Sequence, residues 1–135
     1  MSATDYALWG IIVHLVCDWL LQNHWQANNK ASLSHPAAWI HSGIHTIGLL
    51  LVFPPLVALI IGLLHLFIDT RIPLNWWRRV YRQTRIMPIP IDTIARMVAT
   101  QAHNNIALHV SMWGDQVLHI AVIAVAALLV GGGLS

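Results

Sequence analysis

The chain contains no glutamate, and its five acidic residues are all aspartates. Only 9% of its 135 residues are charged, against roughly 25% in soluble chains. So few charges cannot cover the surface of a soluble domain of this length, and they point to an integral membrane protein. Cys17 is the single cysteine. That excludes an internal disulfide and leaves a small buried hydrophobe inside an apolar run. No Gly-rich phosphate loop and no serine-nucleophile motif occurs, so ATP-driven and serine-hydrolase chemistry have no support. The opening MSATDYALWG has no basic stretch and carries Asp5. It does not look like a cleaved signal peptide, and the first apolar segment is expected to stay in place. There is no whole-segment repeat and no low-complexity tract.

What is present is apolar: 57% of residues are hydrophobic, and seven are tryptophan. Four apolar stretches stand out, over residues 6–22, 37–53, 56–70 and 106–130. Pro54-Pro55 separates the second from the third, because proline lacks the N–H donor and restricts its predecessor. Gly131-Gly132-Gly133 closes the last. The expected fold is therefore all-α, a polytopic four-transmembrane-helix bundle forming one integral membrane domain over 1–135.

The basic residues give an orientation for that bundle. Arg71, Arg78, Arg79, Arg82, Arg85 and Arg96 lie in a segment over 71–96, and Lys30 lies between the first and second stretches. With four crossings both loops share one side, which the positive-inside rule assigns to the cytoplasm. The expected location is the inner membrane, multi-pass, with both termini outside. Leu74–Arg85, which interleaves Trp76, Trp77 and Tyr81 with four arginines, reads either as an interfacial amphipathic helix or as a solvated basic loop. Ile91–His103 is a second candidate for a short interfacial helix. Topology already accounts for the positive charge, so no nucleic-acid partner is expected.

Inside the apolar stretches sit ionisable residues, which cost about 2.5–3.5 kcal/mol at a membrane centre on insertion scales and are therefore functional hints. They come in pairs at one spacing: His14/Asp18, His41/His45, His65/Asp69 and Asp115/His119. Residues i and i+4 share a helix face, so each segment presents two ligands in one direction. With His this frequent, a given Asp has one four residues away only about 13% of the time by simple counting; Asp18, Asp69 and Asp115 all do. Under the four-span topology all four pairs fall at one depth, as ligands on facing helices of a bundle do. Imidazole and carboxylate together suit a divalent metal, Zn first, with Mn, Fe and Ni sharing that preference. Eight ligands suffice for one or two ions. A lone buried His more often packs and hydrogen-bonds, and His–Asp pairs also serve as proton relays, but four pairs at one level favour metal. Gln22 and Gln116 are candidates to orient ligands, or simply interfacial amides. Lys30 is a topology charge or a contact for a phosphate. His24, His35 and His103 read as ordinary interfacial histidines, with His109 the one most open to another role.

The motifs H-x3-D-W-L-L-Q (His14 to Gln22), the downstream Lys30, H-x3-H (His41, His45), H-L-F-I-D (His65 to Asp69) and D-Q-x2-H (Asp115 to His119) resemble a family of small bacterial and phage membrane proteins. That family is catalogued as domain of unknown function 3307. The resemblance covers nearly the whole chain. It implies a bacterial or phage origin, an inner-membrane location and retention of the matching residues across the family, but it supplies no activity. The pattern is also similar to that of small membrane proteins labelled metal-dependent hydrolases, by analogy alone. An Ala-rich last segment with His103 and His109 nearby is this chain's departure.

The function expected from these features is a membrane-embedded, metal-dependent hydrolase acting on a phosphoester or lipid-linked bond at the cytoplasmic interface. His14, Asp18, His41, His45, His65, Asp69, Asp115 and His119 would be its ligands. Among them Asp18, Asp69 and Asp115 are the candidates for a bridging carboxylate or general base. Gln22, Lys30 and Gln116 would orient ligands or substrate. Expected partners are the bilayer, a lipid or phosphorylated substrate, and a second copy in a homo-oligomer. The alternatives are a metal- or proton-transporting protein, an envelope or phage protein with a structural metal, and an iron oxidase or hydroxylase.

Overall fold

The computed structural model describes residues 1–80 and 93–132; within the last helix, the side chains of 93–100 and 102–111 lie outside what is described. Six helices follow one another: α1 (Ala3–Trp19), α2 (His24–Asn29), α3 (Pro36–Leu49), α4 (Pro55–Asp69), α5 (Ile72–Val80) and α6 (Thr93–Gly131). Local chemistry sets where they begin. Ser2 caps α1 in a reciprocal box with Asp5, its backbone N–H donating to Oδ2 at 2.8 Å, which satisfies two otherwise orphaned donors. Proline opens both α3 and α4, where its missing N–H costs nothing. At the end of α4, Arg71 adopts a left-handed conformation with φ 62°, and the chain bends by 59° into α5.

Four helices form a ring in which α1 packs on α3, α3 on α4, α4 on α6, and α6 back on α1. The start of α1 meets the end of α6, since a side chain on Gly131 would collide with Ala3. At that end Leu49, Phe53, Ala58, Ile61, Ile123 and Ala127 make the apolar core, with Tyr6 stacked on Phe53 at 5.4 Å. The polar histidines and aspartates occupy the other end. Between α3 and α4 the approach is close at Gly62: a Cβ there would overlap Thr46, whose hydroxyl donates to the Ser42 carbonyl, while Ser42 Oγ donates to the Gly62 carbonyl at 2.8 Å. Thr46 is held and β-branched, so it cannot yield. Gly62→Ala is expected to lose about 1–3 kcal/mol, the usual cost of overpacking, read as a lowered unfolding midpoint. An unchanged midpoint would contradict the contact.

The four-span expectation does not survive. Crossing a bilayer takes about 20 apolar helical residues, whereas α1, α3 and α4 have 17, 14 and 15. Among the described residues one helical segment is long and apolar enough to cross, Met112–Gly131, with 22% of it buried; α4 and α5 pass together only as a pair bent by 59°. The apolar stretches overstate the helices because Leu20-Leu21 and Leu50–Phe53 belong to caps and turns. With four crossings goes the orientation that depended on counting them. Of the two readings of Leu74–Arg85, helix or basic loop, the described part is helical in α5 as far as Val80, and residues 81–85 lie outside the described residues. The expected short helix at Ile91–His103 is, from Thr93 onward, the beginning of α6, while Ile91 and Asp92 lie outside the described residues. Helix α6 runs on without a break at Asn104-Asn105, because nothing there stops it.

Candidate metal centre

Each paired motif sits on one ring helix, and all four pairs turn toward the bundle interior at its polar end. His14 is 1% exposed, His41 and His45 0%, His65 and Asp69 3%, Asp18 7% and His119 2%. The imidazoles crowd together: the His45 and His65 rings are stacked at 3.7 Å between centroids, His65 and His119 lie 4.2 Å apart, and His41 and His45 4.7 Å. Bare packing does not account for five imidazoles around two carboxylates, because buried polar groups need partners.

Asp18 and Asp69 anchor the cluster from α1 and α4. Asp18 Oδ1 lies 3.2 Å from His45 Nε2 and 3.1 Å from His41 Nε2, and Asp69 Oδ2 lies 3.2 Å from His65 Nε2 and 3.4 Å from His41 Nε2. Gln116 from α6 fixes orientation on one side. Its amide N–H donates to Asp18 Oδ2 at 2.8 Å, so its carbonyl oxygen faces His14 Nε2 at 3.1 Å as acceptor. That commits His14 Nε2 as a donor. On the other side His119 Nδ1 sits 2.9 Å from the Asp115 carbonyl. A carbonyl only accepts, so Nδ1 carries the hydrogen and the Nε2 lone pair is left for a ligand.

Lys30 enters from outside the ring. Its ammonium lies 3.1 Å from Asp69 Oδ1, 3.5 Å from Asp18 Oδ1 and 3.2 Å from His41 Nε2, with 14% of its side chain exposed. Burial works against its charge, but the carboxylates of Asp69 and Asp18 outweigh that and hold its pKa above the usual lysine value. It is delivered by α2, a helix of six residues capped by Asn23 and Gln26 in a reciprocal box.

Several ligand atoms are buried without a hydrogen-bond partner among the described residues: His65 Nε2, His119 Nε2, Asp69 Oδ1 and Asp115 Oδ1. His65 Nε2 and Asp69 Oδ1 are within ion-pair distance of neighbours yet misaligned for hydrogen bonding, so proximity has not been converted into a bond. Two groups could hold a metal ion: Asp18, His41, His45 and His65, and then His65, Asp69 and His119, with ligand atoms within 4.8 Å of one another in each. Imidazole nitrogens without a hydrogen-bond partner beside a carboxylate are the donor set a divalent ion takes. A cavity of about 10 Å³ bordered by His14, His45, His65 and His119 adjoins the apolar core.

A comparison of the whole sequence matches the family described as "Protein of unknown function (DUF3307)" over residues 8–132. The chain belongs to the DUF3307 family. No curated protein and no solved structure matches it.

Of the eight residues expected as ligands, six fall in the two groups. His14 is instead tied to Gln116, and Asp115 lies beside them, its Oδ2 4.0 Å from His119 Nδ1. Of the expected orienting residues Gln116 makes the contacts described, whereas the Gln22 amide nitrogen is buried without a partner among the described residues. Lys30 reaches both carboxylates. The side chains of His103 and His109 lie outside the described residues. The helix His24–Asn29 and the buried Gln26 were not expected; the N-x-x-Q box was the signal that could have found them.

Proposed function

We propose that this DUF3307 protein is a metal-dependent hydrolase that works at a membrane surface on a phosphoester or another lipid-linked bond. The observation that carries the reading is the group His65, Asp69 and His119, in which His65 Nε2, Asp69 Oδ1 and His119 Nε2 are buried with no hydrogen-bond partner among the described residues. Two imidazoles and one carboxylate leave a coordination position open, as catalytic zinc sites do and closed structural sites do not. Zn fits that set, with Mn, Fe or Ni as the other candidates. A divalent ion held there supplies Lewis acidity and lowers the pKa of water to about 7.

The chain's own residues divide the remaining work. Asp115 stands outside both ligand groups, its Oδ1 without a hydrogen-bond partner among the described residues and its side chain 16% exposed, and it serves as general base in this reading. The partly exposed side of Lys30 and Asp115 is the way in for substrate. The opposite side is closed by Leu49, Phe53, Ile61 and Ile123, which speaks against a polar path running through the bundle and so against transport. Lipid is the partner that suits the exterior: Leu51, Leu56, Leu128 and Leu129 are among the many exposed apolar side chains, an outer surface more apolar than water favours. Helix α5 docks by Leu74 and carries Trp76 and Arg79 on exposed positions, chemistry suited to anionic headgroups.

The test is hydrolysis of bis(p-nitrophenyl) phosphate and of a phospholipid by protein loaded with each candidate ion. Activity is expected in wild type, and Asp115→Asn should retain metal while its rate falls by about 100-fold or more. An undiminished rate in Asp115→Asn sinks the base assignment. No metal-dependent hydrolysis of either substrate sinks the hydrolase reading.

A further inference from the structure

Six ligands in two overlapping groups raise the question of one ion or two. We infer that the centre takes a single divalent ion, at His65, Asp69 and His119, and that the Lys30 ammonium fills the place of a second between Asp18 and His41. The inference rests on the metal-binding reading above and goes beyond it by assigning stoichiometry and a role for Lys30.

Three observations converge. First, Lys30 Nζ contacts the atoms a second ion would need, His41 Nε2 at 3.2 Å and Asp18 Oδ1 at 3.5 Å, and from there it also reaches Asp69 Oδ1, on a ligand of the first ion, at 3.1 Å. His41 Nε2 either accepts from that ammonium or donates to Asp18 Oδ1 at 3.1 Å. In both cases it is engaged within the Lys30–Asp18 group. Second, Lys30 is not a roaming surface lysine. Its backbone N–H caps α2 by donating to the Gln26 carbonyl at 2.8 Å, and Gln26 itself is 3% exposed, so the short helix fixes where the ammonium goes. Third, charge balances with one ion and not with two. Asp18, Asp69 and Asp115 supply three negative charges when ionised, which one dication and one ammonium neutralise. A second dication beside that ammonium would leave an excess of two positive charges in a buried site, a costly state, and loss of the ammonium halves that excess. His65 adds a constraint, since it belongs to both groups and one imidazole nitrogen ligates one ion.

The experiment is equilibrium dialysis of the detergent-purified full chain against Zn²⁺ and, separately, Mn²⁺, with metal per chain read by ICP-MS. Wild type and Lys30→Arg, which keeps the charge, should saturate at one ion. Lys30→Ala, which opens both space and charge, should saturate at two. Lys30→Gln is read beside it because it keeps side-chain bulk while removing the charge; a second ion in either neutral variant supports the inference. Two ions in wild type or in Lys30→Arg overturn it, as does a single ion of unchanged affinity in both neutral variants. No ion in wild type is a different failure, because it removes the metal-binding reading itself.

Discussion

A His65→Ala protein is expected to purify without its metal, holding ion at least about 100-fold more weakly than wild type. His65 is the one residue shared by both candidate ligand groups, so its loss cannot be absorbed by moving the ion from one group to the other. Its ring is 3% exposed and lies between those of His45 and His119, at 3.7 and 4.2 Å. Even residues that only orient a ligand cost 10–100-fold when removed, and loss of a ligand should cost more. The measurement is metal content after dialysis against a weak chelator, with helicity as the control for folding. His24→Ala is the internal comparison, because His24 pairs with Asn28 on the exposed face of α2 at 2.9 Å; its metal content should match wild type. If His65→Ala retains as much metal as wild type, the ion is held elsewhere.

Asp69→Asn is expected to destabilise the metal-free protein by about 3–5 kcal/mol, the cost of breaking a buried charge pair from one side. Asp69 is 3% exposed and its Oδ1 lies at ion-pair distance, 3.1 Å, from the Lys30 ammonium. Asparagine keeps the volume but removes the charge, so the buried Lys30 keeps one described carboxylate at ion-pair distance, Asp18 at 3.5 Å, beside the uncharged contact to His41. Removing both charges should cost less than the sum of the single losses: in a double-mutant cycle, Asp69→Asn with Lys30→Met should show coupling of about 0.5–3 kcal/mol. Denaturant unfolding in a fixed detergent reads both quantities. A loss below about 0.5 kcal/mol for Asp69→Asn, the range of ordinary surface substitutions, would mean that the two groups are solvated and not paired.

The polar end of the bundle was legible because i,i+4 spacing survives whatever the rest of the fold does. His14 and Asp18 share a face of any helix that contains them, and so do His65 and Asp69; four such pairs had only to face inward to meet. Gln116 was legible only in part: its place beside Asp115 made it a candidate to orient ligands or simply an interfacial amide, because adjacent helical residues do not share a face. What pairing could not reveal is which atoms stay open. His14 and Asp115 look like the other ligands in sequence, yet the amide of Gln116 engages one and the other lies outside both groups. Lys30 was harder still. Its segment is too short and too polar for a hydrophobic period, so only the Asn23–Gln26 capping box marks the helix that carries it inward. The span count failed for a different reason. Hydropathy records apolar length, but Leu20-Leu21 and Leu50–Phe53 lengthen the apolar runs without lengthening the helices. The same continuity argument hid the true start of α6, since the polar residues after Thr93 interrupt hydropathy but not helical hydrogen bonding.

The most direct test of the buried His/Asp centre as a metal site is X-ray absorption spectroscopy at the metal edge of protein purified with its native ion. The expected spectrum shows nitrogen and oxygen ligands near 2.0–2.1 Å, as for imidazole-bound zinc, with outer-shell scattering from two imidazoles. Those features should disappear in His65→Ala. Protein that carries no ion after incubation with Zn, Mn, Fe and Ni, or an ion whose spectrum lacks imidazole scattering, would contradict the assignment.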